Sequence, residues 1–407
     1  MDNTYQLILD TAENFFAPGE RCIYSSIIDK SVEDVMINHY GDDWKDRDFQ
    51  GIYSKLRSNF NKDAYKKDVP YFYMLYYLPL NVPKVQIVLS ELFKKKELRG
   101  ELKILDVGCA VGTTLFAVLD YIAILDNLCS LMGEEPIFNK ISIDLVDASE
   151  DNIEALKQLL SFYRARISGF FDMSKIEVGE PKLQDITKSI ELDKRYDIIV
   201  LSNIINEIPV SKRLKSIASL DEHLKDDGHL IIIEPADQNN TLHLGKLKLD
   251  LANLLGYTSI GPCGINDSCS ECWCFRREHS VSRGTLKFID ESFNFRVNRD
   301  FYNERLKWSY CVLGKYNGEE LDVFLGFGEQ LYVVSREKNG RVDVCSVDDG
   351  TRSKLILNGN VVRGLKFGDI ITVDDYEYDE ETGEIILNED SNVEVDRYQR
   401  TNERISY

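Results

Sequence analysis

The stretch from Ile104 to Thr114 constrains the fold of this chain more than any other part of the sequence. An apolar run that contains Asp106 leads directly into a turn with glycines at positions 108 and 112, and a helix-forming run follows. In a doubly wound α/β sheet, the cofactor lies at the turn that joins a strand to the next helix. The sequence therefore predicts an α/β fold with a ligand at this turn.

An alternation of strand, turn and helix continues from residue 103 to about residue 315. The predicted strands are Lys103–Val107, Ile141–Val146, Lys175–Val178, Tyr196–Leu201, His229–Ile233, Tyr257–Ile260 and Trp308–Gly314. Apolar residues at helical spacing predict helices at Ala117–Leu131, Asn152–Ser161 and Lys212–Leu224. Strands that alternate with helices are typical of a parallel sheet with crossover helices.

The chain of 407 residues is long enough for two or three domains, and its composition changes along its length. We expect an N-terminal helical cap over residues 1–100 and the parallel-sheet domain over 101–315. Short alternating runs between turn residues predict a small β-barrel-like domain over 316–373. Residues 374–407 are acidic and polar, which predicts a solvated tail.

The glycine spacing indicates which nucleotide cofactor the turn could hold. The pattern Asp-x-Gly-x-x-x-Gly lacks the three glycines that cradle a pyrophosphate. It favours S-adenosylmethionine over NAD, and with it a Rossmann-like class I S-adenosylmethionine-dependent methyltransferase fold. Gly108 would allow close approach of backbone to ligand, and Gly112 would allow close helix packing. Cys109, which lies between them, is a further candidate contact.

Polar residues at the ends of the predicted strands complete the candidate cofactor site. Asp106 could attract the sulfonium or the amino group, and Asp147 could bind both ribose hydroxyls. Asp185 would lie near the adenine, and Asn203 would close the site from below. The alternative for each of these residues is an ordinary role in a turn or a helix cap.

Four cysteines fall within residues 263–274, in the spacing Cys-x5-Cys-x2-Cys-x-Cys. Thiolates in such sets bind zinc or iron–sulfur clusters, although this spacing is not that of a zinc ribbon. Since Cys272 and Cys274 are too close in sequence for both to bind comfortably, one ligand could come from Cys311 or Cys345. Buried thiols without a metal are the alternative.

The charge balance limits the partners of the chain. Its 49 Lys and Arg against 69 Asp and Glu give a net charge of −20, which opposes non-specific binding to nucleic acid. Any RNA contact must therefore be local, and the stretch Arg276–Lys307, where basic residues outnumber acidic ones, is a candidate. A solvated surface is the alternative for this stretch.

The N-terminus has neither a signal-peptide pattern nor a transit-peptide pattern, and charged residues interrupt the longest apolar runs. We therefore expect a cytoplasmic protein that is not inserted in a membrane. The nine cysteines should then be reduced thiols, not disulfides.

Together these motifs resemble one family, the methyltransferase-like small-ribosomal-subunit assembly factors of mitochondria and their bacterial and archaeal relatives. The resemblance spans about residues 55–370. It lies in Leu105–Thr113, Asn206–Ile208 and Ile233–Pro235, and most specifically in Pro262-Cys263 followed by Trp273-Cys274. The chain departs from the family pattern at Ala110, where the family has a glycine.

The resemblance implies a [4Fe–4S] cluster bound by Cys263, Cys269, Cys274 and Cys345, with Cys272 as a spectator. It also implies that the partner is the small ribosomal subunit or its rRNA.

Two other classes of function remain alternatives: a non-catalytic binding module on a methyltransferase scaffold, and a methyltransferase for small molecules or proteins. The sequence identifies no catalytic base. Glu207 or Asn203 could orient a substrate, and a loop role for both is an equal alternative.

Overall fold

The computed structural model describes residues 3–17, 21–49, 51–52, 67–96, 98–188, 190–262, 277–281, 306–315, 329–333, 335, 337–346, 352–358, 364–365, 369–373, 375–379 and 381–396. The chain divides into two compact units. The first comprises residues 1–233 and 278–306, and the second comprises residues 234–277 and 307–407.

The described N-terminal residues of the first unit form the helices α1 (Asn3–Phe16), α2 (Ser26–Tyr40) and α3 (Val69–Lys95). The short strand β1 (Arg21–Cys22) follows α1. Helix α3 carries Pro79 and Pro83 within its length and is buried over most of it. These helices lie within residues 1–100, for which the sequence predicts an N-terminal helical cap.

The sheet of the first unit is parallel. Its strands are β2 (Gly100–Val107), β3 (Phe138–Asp147), β4 (Ile176–Val178), β5 (Lys182–Leu183), β6 (Tyr196–Ser202) and β7 (Leu224–Pro235). Their order is β7-β6-β2-β3-β4, and β5 pairs with the end of β3. Runs of buried apolar residues form the central parts of the longer strands, because both faces of the sheet are buried there.

The direction of strand addition reverses beside β2. After β2 the chain adds β3 and β4 on one side, and then crosses to add β6 and β7 on the other. A crevice at such a switch point, outside the carboxyl ends of the strands, is where open α/β sheets bind ligands. The turn after β2 lies at this point, as the sequence predicts.

Helices α4 (Thr113–Met132), α5 (Glu150–Ile167) and α6 (Val210–Asp221) follow β2, β3 and β6. The predicted third helix, Lys212–Leu224, ends too late, because Leu224 already begins β7. By length and composition alone α4 could cross a membrane, but 61% of its apolar window is buried. Such burial is typical of a core helix, although the sequence predicts no apolar run of this length.

The second unit contains helix α7 (Gln238–Leu255), which the sequence analysis did not predict. The Asp237 carboxylate caps its first turn, where it accepts a hydrogen bond from the Asn240 amide at 3.0 Å. Strand β8 (Thr258–Gly261) pairs antiparallel with β10 (Leu306–Gly314). Strand β9 (Arg277–Val281), of which residues 278–281 belong to the first unit, pairs parallel with β1 of that unit.

Seven strands form a separate sheet in the C-terminal part of the second unit. They are β11 (Glu329–Val333), β12 (Arg341–Ser346), β13 (Arg352–Leu357), β14 (Ile370–Val373), β15 (Glu377–Asp379), β16 (Glu384–Leu387) and β17 (Val393–Asp396), in the order β15-β16-β13-β12-β11-β14-β17. Its last three strands lie where the sequence led us to expect an acidic tail from residue 374. Ile385 and Leu387 are buried in the core of this sheet, which explains why these residues are ordered.

Candidate cofactor site

A cleft of about 740 Å³ opens at the carboxyl ends of the central strands of the first unit. Its walls come from five places in the chain: the turn after β2, the turn after β3, the segment after β5, the turn after β6, and Tyr73 of α3. The cleft therefore lies where the change in strand order predicts a ligand.

The turn after β2 depends on two glycines that have different roles. Gly108 lines the cleft with φ of 72°, and a Cβ atom at this position would lie 2.2 Å from Cδ1 of Ile204. Gly112 precedes α4 with φ of 95°, and its Cβ would lie 2.8 Å from the Phe116 ring. The structure thus places Gly108 on the cleft wall and Gly112 against the helix.

Alanine at position 108 is expected to destabilise the protein more than alanine at position 133. Gly133 has nearly the same φ, 74°, but its Cβ would meet nothing within 4 Å. Gly133→Ala therefore measures backbone strain alone, about 1 kcal/mol. Gly108→Ala adds the clash with Ile204, for a further ~1–3 kcal/mol. Urea unfolding of both variants tests this expectation, and equal losses would contradict it.

Asp147 ends β3 and lines the cleft, but protein groups already use much of its carboxylate. Its Oδ2 accepts a hydrogen bond from the Ala110 amide at 2.8 Å, and its Oδ1 accepts from the Ser149 amide at 2.8 Å and the Asn152 side chain at 3.2 Å. Burial raises the pKa of Asp147, and these hydrogen bonds oppose the rise. Asp147 therefore holds the turns after β2 and β3 together at the wall of the cleft.

Asp147→Asn is expected to lower stability by ~1–3 kcal/mol, because an amide nitrogen cannot accept from the Ala110 or Ser149 N–H group. Without the hydrogen bond from the Ala110 amide, the turn after β2 would lose its fixed orientation. Asp193→Asn is a suitable control, since Asp193 is an exposed carboxylate 3.7 Å from Lys182, and it should leave the melting temperature nearly unchanged. Thermal unfolding of both variants makes the comparison, and equal melting temperatures would refute the bracing role.

Asp185 and Asn203, also predicted from the sequence, both line the cleft. Asp185 Oδ1 accepts hydrogen bonds from the amide and the hydroxyl of Thr187, at 2.9 and 2.8 Å. Asn203 has φ of 58°, and its amide donates to the Ile233 carbonyl at 2.7 Å. The structure brings both residues to the same cleft as Gly108 and Asp147.

Asp106 and Cys109 lie behind the cleft wall. Asp106 is 1% exposed, and no hydrogen-bond partner of its Oδ2 is found. Burial raises the pKa of Asp106 to about 7, opposed by the Thr114 hydroxyl, and the charge of Asp147 raises it further. Burial also raises the pKa of the Cys109 thiol, which is therefore protonated at neutral pH. Direct ligand contact by either residue stays a prediction.

Several cleft residues were missed as candidate site residues, among them Tyr73, Ala110 and Ile204. Tyr73 comes from a helix that precedes the sheet in sequence. Ala110 has a left-handed φ of 47°, and Ile204 packs over Gly108. The signal for Ala110 was present, because the resemblance marked it as a glycine position. The other two depend on long-range packing.

Of the predicted metal ligands, Cys263, Cys269 and Cys274 lie outside the described residues, as does Cys272. Cys345 is buried in β12 and Cys311 in β10. The five cysteines in the described part of the chain are buried free thiols. The described residues contain no group of three or more His, Cys, Asp or Glu that could hold a metal ion.

A parallel sheet with a glycine-turn cleft at its switch point defines the fold class of the S-adenosylmethionine-dependent methyltransferases. The model of the methyltransferase domain family matches residues 82–297, and the chain belongs to this family. A comparison with curated protein sequences finds no match.

Solved structures of methyltransferases are similar to parts of this chain at low sequence identity. The glycopeptide N-methyltransferase MtfA is 17% identical over 39% of this chain and 55% of its own, with a TM-score of 0.25. Magnesium protoporphyrin IX methyltransferase from Synechocystis PCC 6803 is 13% identical over 65% and 97%, with a TM-score of 0.34. The N-methyltransferase NodS from Bradyrhizobium japonicum is 12% identical over 66% and 98%, with a TM-score of 0.32. The chain thus spans little more than half the length of MtfA.

Proposed function

We propose that the chain binds S-adenosylmethionine in this cleft and transfers its methyl group to an acceptor. The observation that carries the proposal is the meeting of Gly108 and Asp147 at the switch point of the sheet. Gly108 has no side chain there, and the Asp147 carboxylate lies at the cleft wall, where it would accept a hydrogen bond from a ribose hydroxyl. When bound, S-adenosylmethionine supplies an electrophilic methyl group, and the protein mainly has to position it.

Calorimetric titration with S-adenosylmethionine and S-adenosylhomocysteine tests the cofactor. We expect saturable 1:1 binding of both by the full-length protein, in the micromolar range that is usual for enzyme ligands. Gly108→Ala should weaken both, whereas Gly133→Ala should bind them as the wild type does. Absence of binding by the wild type would overturn the proposed function.

For the acceptor, we propose the small ribosomal subunit or its rRNA, with the protein in the cytoplasm as an rRNA methyltransferase or an assembly factor. The support is the motif resemblance at Asn206–Ile208 and Pro262–Cys274, together with the basic stretch Arg276–Lys307. Sedimentation of the protein with purified small subunits at low and high salt tests the association. Binding that weakens with salt is expected for phosphate contacts, and absence of co-sedimentation would contradict the proposal.

We propose further that Cys263, Cys269, Cys274 and Cys345 bind a [4Fe–4S] cluster, with zinc as the alternative metal. Four cysteines within residues 263–274 support it, because soft thiolates suit both metals. Iron, sulfide and zinc assays on anaerobically purified protein test this proposal. Iron and sulfide should be lost in Cys263→Ser and retained in Cys22→Ser. Zinc alone, or no metal, would overturn the cluster.

A second candidate is methylation of a small molecule or a protein. The net charge of −20 favours it, because such a charge repels RNA at long range. Methyl transfer to a non-RNA acceptor, without association with small subunits, would select this alternative.

A further inference from the structure

The two ends of the cleft differ in chemistry. At one end, Asp185 and Glu191 follow β5, next to the carboxyl end of β3 where Asp147 lies. The turn after β6 lies at the other end of the cleft, and Gly108 lies between these two ends. If Asp147 and Asp185 hold the adenosine, the reactive end of the ligand points toward the β6 turn. The inference below therefore rests on the proposed function.

Tyr73 and Glu207 face this second end from different elements. Both line the cleft, Tyr73 from α3 and Glu207 from the 3-10 turn Ile205–Glu207. Burial raises the pKa of Tyr73 far above its usual range, and the charges of Glu207, Tyr77 and Asp147 raise it further, while the Asn81 side chain opposes them. Tyr73 therefore keeps its proton and can donate a hydrogen bond beside the exposed carboxylate of Glu207.

Hydrogen bonds from a buried arginine of α6 hold the turn that carries Glu207 in place. Arg213 of α6 is 7% exposed, and its Nε donates to the Ile208 carbonyl at 2.9 Å. Its Nη2 donates to the Asn206 carbonyl at 3.5 Å. These two carbonyls lie on either side of Glu207, so a buried guanidinium fixes the backbone from which this carboxylate projects.

We propose that Tyr73 and Glu207 form the methyl-acceptor end of the cleft and that they recognise a nitrogen acceptor that carries an N–H group. The carboxylate accepts the N–H hydrogen bond, and the tyrosine hydroxyl orients the acceptor beside it. An anionic acceptor, such as a phosphate or a carboxylate, would be repelled by Glu207.

The chemistry of methyl transfer agrees with a nitrogen acceptor. A neutral nitrogen uses its own lone pair to form the new N–C bond, and the C–S bond breaks with its electron pair left on sulfur. The product nitrogen then carries a positive charge and loses its proton to the Glu207 carboxylate, from which water removes it. An alcohol would need a strong base before attack, and the described residues that line this end of the cleft offer none.

A binding experiment on the full-length protein tests this assignment without an acceptor. Sinefungin carries a primary amine where S-adenosylmethionine has its methylated sulfonium, while S-adenosylhomocysteine has a neutral sulfur there. We expect Glu207→Gln to weaken sinefungin binding about tenfold, because a charge-assisted hydrogen bond is lost. S-adenosylhomocysteine binding should change less than about twofold. Tyr73→Phe should show a smaller effect of the same sign.

Glu191→Gln is the matched control, an exposed carboxylate at the opposite end of the same cleft. It should leave the ratio of the two affinities unchanged. An unchanged ratio in Glu207→Gln, with S-adenosylhomocysteine still bound, would overturn this inference and leave the proposed function intact. Failure of the wild-type protein to bind S-adenosylhomocysteine would instead overturn the proposed function, and the inference with it.

Discussion

Asp106→Asn is expected to stabilise the protein by about 4 kcal/mol at pH 8. The folded state holds the pKa of Asp106 at about 7, whereas the ordinary value is 3.8. Between these values the folded protein binds the proton more tightly than the unfolded chain does. The free energy of unfolding therefore falls as the pH rises from about 4 to 7, by about 1.36 kcal/mol per pKa unit. Asparagine has the shape of the protonated acid but does not ionise, so its stability does not fall over this pH range.

The size of this gain should depend on pH. At pH 5 the wild-type Asp106 is still protonated in the folded state, so the advantage of asparagine should shrink to about 2 kcal/mol. Urea unfolding at pH 5 and pH 8 measures both values. Asp193→Asn provides the control, because this exposed carboxylate should show no comparable gain. A variant less stable than the wild type at pH 8 would show that the ionised carboxylate has partners that stabilise it.

The same substitution separates stability from ligand binding. If Asp106 attracts the positive sulfonium or amino group of S-adenosylmethionine, affinity should rise with pH through about 7 in the wild type, as the carboxyl ionises. Asp106→Asn should lose this pH dependence while it gains stability. A buried carboxyl that weakens the fold at neutral pH is typical of a functional site. Identical affinity profiles would leave Asp106 with a structural role only.

The parallel sheet could be predicted from sequence because each strand has a residue pattern that can be recognised within the strand itself. Strands such as Tyr196–Ser202 are continuous apolar runs, which both buried faces require. Strand ends then placed Asp147 and Asn203 correctly at the cleft, since the carboxyl ends of parallel strands share one edge. Such elements can therefore be predicted from their own residues, without knowledge of their contacts in the fold.

The rest of the site depends on contacts between distant residues. Tyr73 reaches the cleft from α3, and nothing near it in sequence indicates this. The strands after residue 374 were missed because acidic residues make up much of their sequence. Their buried residues alternate, however, as Ile385 and Leu387 do, and this period of two was a readable strand signal. Helix α7 likewise had a visible start at Asp237 and a visible end at Gly256.

His229→Gln is expected to remove an acid sensitivity of the wild-type fold. His229 lies in β7 with no exposed surface, and its pKa is lowered to about 3, first by burial and then by Lys96, against the opposing effects of Asp227 and the Asp197 backbone. The unfolded chain takes up this proton below about 6.5, and the folded protein does so only below about 3. Stability is therefore lost as the pH falls through this window, by about 2 kcal/mol between pH 7 and pH 5.

His229 and Asp106 therefore act in opposite directions over the same range of pH. Acidification from pH 7 to pH 5 lowers the free energy of unfolding by about 2 kcal/mol through His229 and raises it by about 2 kcal/mol through Asp106. The two contributions therefore nearly cancel in the wild type. Strand β6 lies between them in the sheet, which keeps their effects close to additive. On acidification, His229→Gln should therefore gain stability and Asp106→Asn should lose it. Urea unfolding of the wild type, both variants and the double variant at the two pH values measures each slope. A His229→Gln variant that keeps the wild-type slope would show that the folded protein leaves the pKa of His229 at its ordinary value.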